Sequence, residues 1–170
     1  VDLIGGAIYN EGEISKITSD FIGNSIFSAT KSSGSGYVSA KTFGGAIYNN
    51  GKIGNITGDF IGNTASASDS NSYGGAIYNY GNSTIGDITG SFIGNYAISK
   101  SGTAQGGAIW SSRDLSLVAD NRTNTFKDNY TESQGVKDDN AIYIDSNATL
   151  NFTMKNNGKF YMADNIDGKV

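Results

Sequence analysis

The chain contains no cysteine, no proline and no histidine. Without cysteine it can build no disulfide framework, no thiolate metal site and no cysteine nucleophile. Without histidine it has no imidazole-based triad, no histidine zinc site and no imidazole switch near neutral pH. Charge is scarce: 12 Lys and Arg stand against 16 Asp and Glu in 170 residues, a net −4. The resulting pI near 4.6 argues against nucleic acid as a partner, because its binders carry basic patches. The apolar runs are too short to cross a bilayer, so no membrane insertion of this segment is expected. The first residues lack the basic and long apolar stretches of a signal peptide. Hydrophobic residues reach only 37%, below the usual share for a compact globule. Ten Tyr and eight Phe nevertheless argue against disorder.

What the chain has in quantity is Gly, 24 residues, and Asn, 19 residues, with much Ser and Thr. These are arranged in repeats. GGAIYN occurs at 5–10, 44–49 and 74–79, with a variant GGAIWS at 106–111 and a decayed copy DNAIYI at 139–144. A Phe-x-x-Asn follows each of the first four: Phe21 to Asn24, Phe60 to Asn63, Phe92 to Asn95, and Phe126 to Asn129. Starts at 5, 44, 74, 106 and 139 give steps of 39, 30, 32 and 33 residues. The repeats run near 5–43, 44–73, 74–105 and 106–138, with degenerate sequence over 139–170, and the whole reads as one domain.

Each unit reads as strands and turns. Ile56, Gly58 and Phe60 alternate with period two, as a strand with one buried face requires. Asn50-Gly51 is a turn signal, both residues tolerating positive φ. The three-residue step from Ile53 to Ile56 predicts a bend at Asn55. Ile14, Ile17 and Phe21, then Ile85, Ile88 and Phe92, match these positions. Leu115, Val118 and Phe126 fit more loosely. A helix with Ile, Ile and Phe on one face is the alternative, but the Gly, Asn and Thr in each window are poor helix formers.

Short strands in tandem units of about 30 residues specify an all-β solenoid of about five coils. Stacked at about 4.8 Å per coil, it would be only about 25 Å long. Its core would be a ladder of Ile8, Ile47, Ile77 and Ile109 beside one of Phe21, Phe60, Phe92 and Phe126. Asn24, Asn63, Asn95 and Asn129 would stack and hydrogen-bond along the axis, as in cross-β ladders. The segments 25–43, 64–73, 96–105 and 130–138 read as variable loops at one corner, either solvated or forming a binding face. Leu150, Phe152 and Met154 share one face of a later strand, and Phe160 and Met162 begin another.

The pairing of Gly-Gly-Ala-Ile with Phe-x-x-Asn resembles the signature of the chlamydial polymorphic outer-membrane proteins and related autotransporter passengers. Gly5-Gly6-Ala7-Ile8, Gly44-Gly45-Ala46-Ile47, Gly74-Gly75-Ala76-Ile77 and Gly106-Gly107-Ala108-Ile109 carry it. Residues 147–168 resemble the stretch that follows such repeats in large bacterial autotransporters. The resemblance implies a right-handed parallel β-helix, an extracellular or bacterial cell-surface location with outer-membrane attachment through another region, and a role as adhesin or display stalk. The missing cysteines agree with secretion across the outer membrane. The translocator barrel of that family has no counterpart here, and both ends of the sequence read as cut.

Three functions follow for testing. In the first, the repeats are a structural stalk or adhesin. Tyr9, Tyr48, Tyr78, Trp110 and Tyr143 occupy one position next to the Ile column, so a buried Ile column turns them outward. That stripe would bind glycans, or a host or neighbouring-cell surface; otherwise it is a stacked ladder, or lies covered by loops. On the binding reading, changing Tyr48 and Tyr78 to Ser should leave the fold intact but abolish ligand binding. In the second, open strand edges at the ends pair between copies, giving a head-to-tail filament. In the third, the chain is a polysaccharide-acting enzyme, which needs clustered carboxylates. Asp20, Asp59 and Asp87 recur with the repeat, which favours a turn or strand role. Arg113, Asp114, Asp120 and Arg122 read as surface salt pairs, and Asp138 and Asp139 as solvated turn residues. No cofactor or metal is expected. The calcium nonapeptide is absent, and Gly-x-Gly at 34–36 lacks the third Gly of a dinucleotide fingerprint. Asn-x-Ser/Thr sequons lie at Asn55, Asn82, Asn121, Asn129, Asn147 and Asn151.

Overall fold

The computed structural model describes residues 2–29, 31–33 and 36–168. Gly34, Ser35, Lys169 and Val170, in the loop and terminal segments singled out above, lie outside the described residues, as do Val1 and Thr30. The described residues are all-β, without helix, and their parallel strands stack into several sheets in the manner of a β-solenoid.

Five sheets are met in chain order. The first stacks Leu3–Ile4, Thr42–Phe43, Ser72–Tyr73 and Ala104–Gln105. The second stacks Ile8–Asn10, Ile47–Asn49, Ile77–Asn79, Ile109–Ser111, Asn140–Ile144 and Asn165–Gly168. The third runs through Glu13–Thr18, Lys52–Thr57, Leu115–Asp120 and Leu150–Lys155, with one pass split into Thr84–Ile85 and Asp87–Thr89. The fourth holds Phe21–Ile22, Phe60–Ile61, Phe92–Ile93, Thr123–Lys127 and Lys159–Met162. The fifth holds Ser25–Ser28, Thr64–Ala67, Tyr96–Ser99 and Tyr130–Ser133, closed by Val136–Asp138 in antiparallel pairing. Lys31–Ser33 and Gly36–Val38 form a separate antiparallel hairpin.

The register explains the repeats. Ile8 pairs with Ile47, Ile47 with Ile77, Ile77 with Ile109 and Ile109 with Ile142. Phe21, Phe60, Phe92 and Phe126 pair in the same way, and Met162 follows. Ring centroids along this Phe ladder are 4.9, 4.6 and 5.0 Å apart. Phe60, Phe92 and Phe126 are fully buried, each contributing about 1.5–3 kcal/mol by leaving water. At the first pass Ile8 is only half-buried, since no earlier strand is described beside it.

The Asn ladder is equally regular. Asn24 Nδ2 donates to Asn63 Oδ1 at 2.9 Å, Asn63 to Asn95 at 2.9 Å, and Asn95 to Asn129 at 2.8 Å. Each of these oxygens also accepts the backbone N–H of the preceding Asn. The second amide hydrogen goes to a Phe carbonyl one pass back: Asn63 to Phe21, Asn95 to Phe60, Asn129 to Phe92. Every donor and acceptor of Asn63 and Asn95 is thereby used, as burial demands. The Phe-to-Asn spacing is the reach of that back-bond. Asp164, an acceptor only, receives Asn129 at 2.7 Å. A second ladder, unnoticed in the sequence although its Asn ends each GGAIYN, runs Asn10–Asn49–Asn79–Ser111 at 2.7, 2.9 and 3.0 Å.

The paired glycines do two jobs. Gly44 has φ +67°, which turns the chain between the first and second sheets. Gly45 has an ordinary φ, but a Cβ there would lie 2.1 Å from the Gly75 carbonyl oxygen and 2.6 Å from the Thr64 backbone. The corner therefore presses inward against the fifth sheet, and the cross-section is dented at this point.

Several expectations need correcting. The supposed loops 25–43, 64–73, 96–105 and 130–138 begin with strands of the fifth sheet, and the first three end with strands of the first. Their small residues, such as Ala65, Ala67 and Ala97, are fully buried, so alternation was hidden by modest side chains. Neither Asn50 nor Gly51 adopts positive φ; Gly51 is Gly because a Cβ would meet the Gly12 carbonyl at 2.3 Å. Lys52–Thr57 forms one strand, yet Ile53 and Ile56, three apart, are both buried and the pairing skips Gly54, as a bend between them requires; in the next pass the strand breaks outright at Gly86. Leu117, not Val118, lies opposite Ile88. Beyond Ile144 the chain returns to the second sheet directly from the fourth, so the last pass omits the fifth and first sheets. Phe152 and Met154 are 38% and 64% exposed there.

Two stability outcomes follow. Phe92→Ala removes a ring stacked on both faces and should cost about 3–5 kcal/mol in urea unfolding. Gly45→Ala should destabilise by about 1–3 kcal/mol or more, whereas Gly12→Ala, whose Cβ meets nothing within 4 Å, should be close to neutral in the same melts.

Candidate functional site

The dent made by the Gly-Gly corner turns the outward side chains of the first and second sheets toward each other. The second sheet contributes the column Tyr9, Tyr48, Tyr78, Trp110 and Tyr143, held in register by strand pairing. The first contributes Phe43 and Tyr73, stacked 5.4 Å apart at 13°. The rows interlock: Phe43 lies 4.7 Å from Tyr78, and Tyr73 lies 5.9 Å edge-on to Trp110. Phe43 and Tyr73 were missed in the sequence, yet the residue preceding each Gly pair was a readable column: Ile4, Phe43, Tyr73, Gln105.

The aromatic column is covered at Tyr78 and Trp110 and open at Tyr9. Tyr9 is 48% exposed, but Tyr78 and Trp110 are only 6% and 8% exposed. Within the column, Tyr48 and Tyr78 stack at 5.4 Å and Tyr78 and Trp110 at 4.6 Å. Their ring faces cover one another. This is a ladder that stiffens the sheet. It also corrects the expected effect of Tyr78→Ser, which removes a buried ring and weakens the fold.

The corner remains open as a groove of about 560 Å³. Its polar rim is Asp2, Lys41, Gln105 and Asp145. Trp110 Nε1 donates to Gln105 Oε1 at 3.2 Å, and the Lys41 N–H donates to Asp2 Oδ1 at 3.2 Å. Tyr80, whose counterparts Asn50, Ser112 and Asp145 in other passes are not aromatic, stacks on Tyr78 at 5.9 Å and is 49% exposed. A smaller depression of about 290 Å³ adjoins the groove and shares Tyr80 and Asp145 with it.

Three phenols of the column, Tyr9, Tyr48 and Tyr78, resist ionisation. Burial is the main cause at Tyr78, which lies well above the ordinary phenol range, with the charges of Tyr48, Tyr80, Tyr73 and Asp2 adding to it. Tyr48 is raised first by burial and then by Glu11. The exposed Tyr9 is pushed up to about 12, chiefly by its hydrogen-bonding interaction with the Glu11 carboxylate.

The charged residues do not form the surface pairs expected of them. Arg122 Nη2 meets Asp59 Oδ1 at 2.6 Å, two passes away. Arg113 donates from Nε to the Gly81 carbonyl and from Nη2 to Asn82 Oδ1 at 3.1 Å. Asp114 accepts the Thr149 N–H and Asp120 the Asn156 amide. Asp138 ends a strand rather than a turn, and Lys137 Nζ lies 3.7 Å from Asp139. Asp20 Oδ1 accepts the Asp59 N–H at 2.8 Å, and Asp59 Oδ1 accepts the Ser91 N–H at 2.7 Å. These carboxylates satisfy backbone along the stack. Among the described residues no three or more Asp or Glu side chains gather as a metal site. Of the sequons, Asn129 is fully buried in its ladder, while Asn82 and Asn147 are exposed beside the smaller depression.

No protein-family model, no curated protein and no solved structure matches this chain.

A phenol whose folded pKa is raised binds its proton more tightly in the fold. Its contribution is complete below the free value of about 10 and is lost as pH climbs above it. Tyr78→Phe should flatten the alkaline fall in melting temperature, and its phenolate absorbance titration should lose the most resistant component. An unchanged titration would contradict the burial of this ring.

Proposed function

We propose that this chain is a segment of an extracellular bacterial surface protein of autotransporter type, a structural stalk or adhesin module that performs no catalysis. In this reading the fold is a right-handed parallel β-helix of about five coils of roughly 30 residues. The observation that carries the proposal is the continuity of the ladders: Asn24–Asn63–Asn95–Asn129 is hydrogen-bonded without a break, and Phe21–Phe60–Phe92–Phe126 stacks beside it. Each pass spends its distinctive residues on holding its neighbours. Such a sequence can extend by adding passes, which suits a display scaffold. The recurring carboxylates serve the same stack: Asp20 and Asp59 accept backbone N–H groups of the next pass. The absence of cysteine fits export as an unfolded chain without disulfide locks.

A second reading is a subunit of a head-to-tail extracellular filament. It is favoured by the apolar residues of the outermost described passes: Ile8 and Ile14 are half-buried, and Phe152 and Met154 are exposed. In a longer chain further passes cover them; in a filament a second copy does.

Antibodies raised against residues 1–170 should label intact cells of the source organism as strongly as lysed ones, and external protease should remove the signal. Labelling that appears only after lysis refutes the surface reading. Electron microscopy of the purified chain separates the two forms: polymers one molecule wide support the filament, and dispersed particles support the stalk.

A further inference from the structure

In a repeat protein the departures from the repeat mark what stacking does not require. One departure concerns the turn between the second and third sheets. In the first two passes it has two residues, 11–12 and 50–51, and in the fourth it has three, 112–114. In the other two it is longer: four residues at 80–83 and five at 145–149. The pairing of Asn79 with Ser111, and of Ser111 with Ile144, places the short turn 112–114 between the two long ones. A notch of about 290 Å³ results. Tyr80 and Asn82 form one wall, Asp145 and Asn147 the other, and Ser112 and Arg113 the floor. Through Tyr80 and Asp145 the notch opens into the aromatic groove.

We infer that this notch, with the adjoining groove, is a binding site for a neutral saccharide. A sugar presents an apolar C–H face beside hydroxyls that both donate and accept. Tyr80 offers the matching surface: it stacks on Tyr78 and is still 49% exposed, unlike the covered rings of the column. The notch supplies amides from Asn82 and Asn147, a hydroxyl from Ser112, a carboxylate from Asp145 and a guanidinium from Arg113. Arg113 is anchored on the Gly81 carbonyl and on Asn82 Oδ1 at 3.1 Å, which leaves the Asn82 NH₂ free to donate outward. Anchoring of this kind lowers the ordering cost of binding.

Charge selects the class of sugar. Across notch and groove, the two carboxylates Asp2 and Asp145 face the two cations Lys41 and Arg113, and the formal charges cancel. A polyanion or a polycation gains no net attraction there, whereas a neutral chain loses nothing. The groove runs along the stack, so successive units of a linear polysaccharide would meet successive strands at the spacing of about 4.8 Å. The extracellular setting in which such a ligand is met rests on the surface reading above. Surface labelling tests that setting, and the following experiment tests the site alone.

The purified chain is applied to an array of linear neutral oligosaccharides, with sulfated heparin fragments and aminated oligosaccharides as charged comparisons. The strongest neutral ligand is then titrated by calorimetry. Tyr80→Ala and Asn147→Ala should each weaken binding by about tenfold or more, as truncation of an anchor does. Tyr9→Ala, at an exposed ring outside the notch, should leave it unchanged. Circular dichroism melts confirm that each variant folds. Retention of no neutral oligosaccharide, retention of charged ones alone, or full binding by Tyr80→Ala overturns the inference.

Discussion

The lateral hydrogen bond between one pass of the chain and the next governs this molecule. It is parallel and in register, and it sets like residue over like residue: Phe60 beside Phe92, Ile77 beside Ile109, Asn63 beside Asn95. Each side chain must then be one that packs or bonds well with a copy of itself at the strand spacing. Flat aromatic rings, branched aliphatics and primary amides meet that condition. A column of like charges does not, and the outward carboxylates Asp20 and Asp59 are tolerated because each accepts a backbone N–H from the neighbouring pass. The low charge content of the chain is a consequence of stacking.

The interior is correspondingly mixed. Asn49, Asn63, Asn79 and Asn95 are fully buried, a composition that would destabilise an ordinary core. They are accommodated because each amide has two donors and two acceptor positions, and the ladder uses them. Asn63 bonds the amide ahead, the Phe21 carbonyl, and both donors of Asn24. Removing one rung leaves partners on both sides unsatisfied, so the ladder rewards strict repetition of Asn. Ser111 and Asp164 stand at the ends of their ladders, where fewer bonds are asked of them.

The Gly-Gly corner links this scaffold to its candidate site. By pressing inward on the fifth sheet it dents the cross-section and brings two outward rows of aromatics into contact. The same rows that form the groove wall also stiffen the sheet, which is why most of their ring surface is withdrawn from solvent. What remains available lies at irregularities: the longer turns at 80–83 and 145–149, the exposed ring of Tyr80, and the anchored Arg113.

Much of this was determined by the sequence by itself. The recurrence of GGAIYN and Phe-x-x-Asn sets a stack of parallel strands, and it identifies the Ile, Phe and Asn ladders, because stacked passes set matching motif positions side by side even where the segments between differ in length. The fifth sheet was not legible: SIFS, TASA, YAIS and YTES share no motif, and their inward Ala and Ser are small enough to pass for loop. The long-range partners of Arg113 and Arg122 were also hidden, since they lie one and two passes away. Tertiary structure alone decided the burial of Tyr78 and Trp110. Alternation along a strand tells which side a residue faces, but whether that side meets water depends on Phe43 and Tyr73, brought there by the turn at the glycine corner.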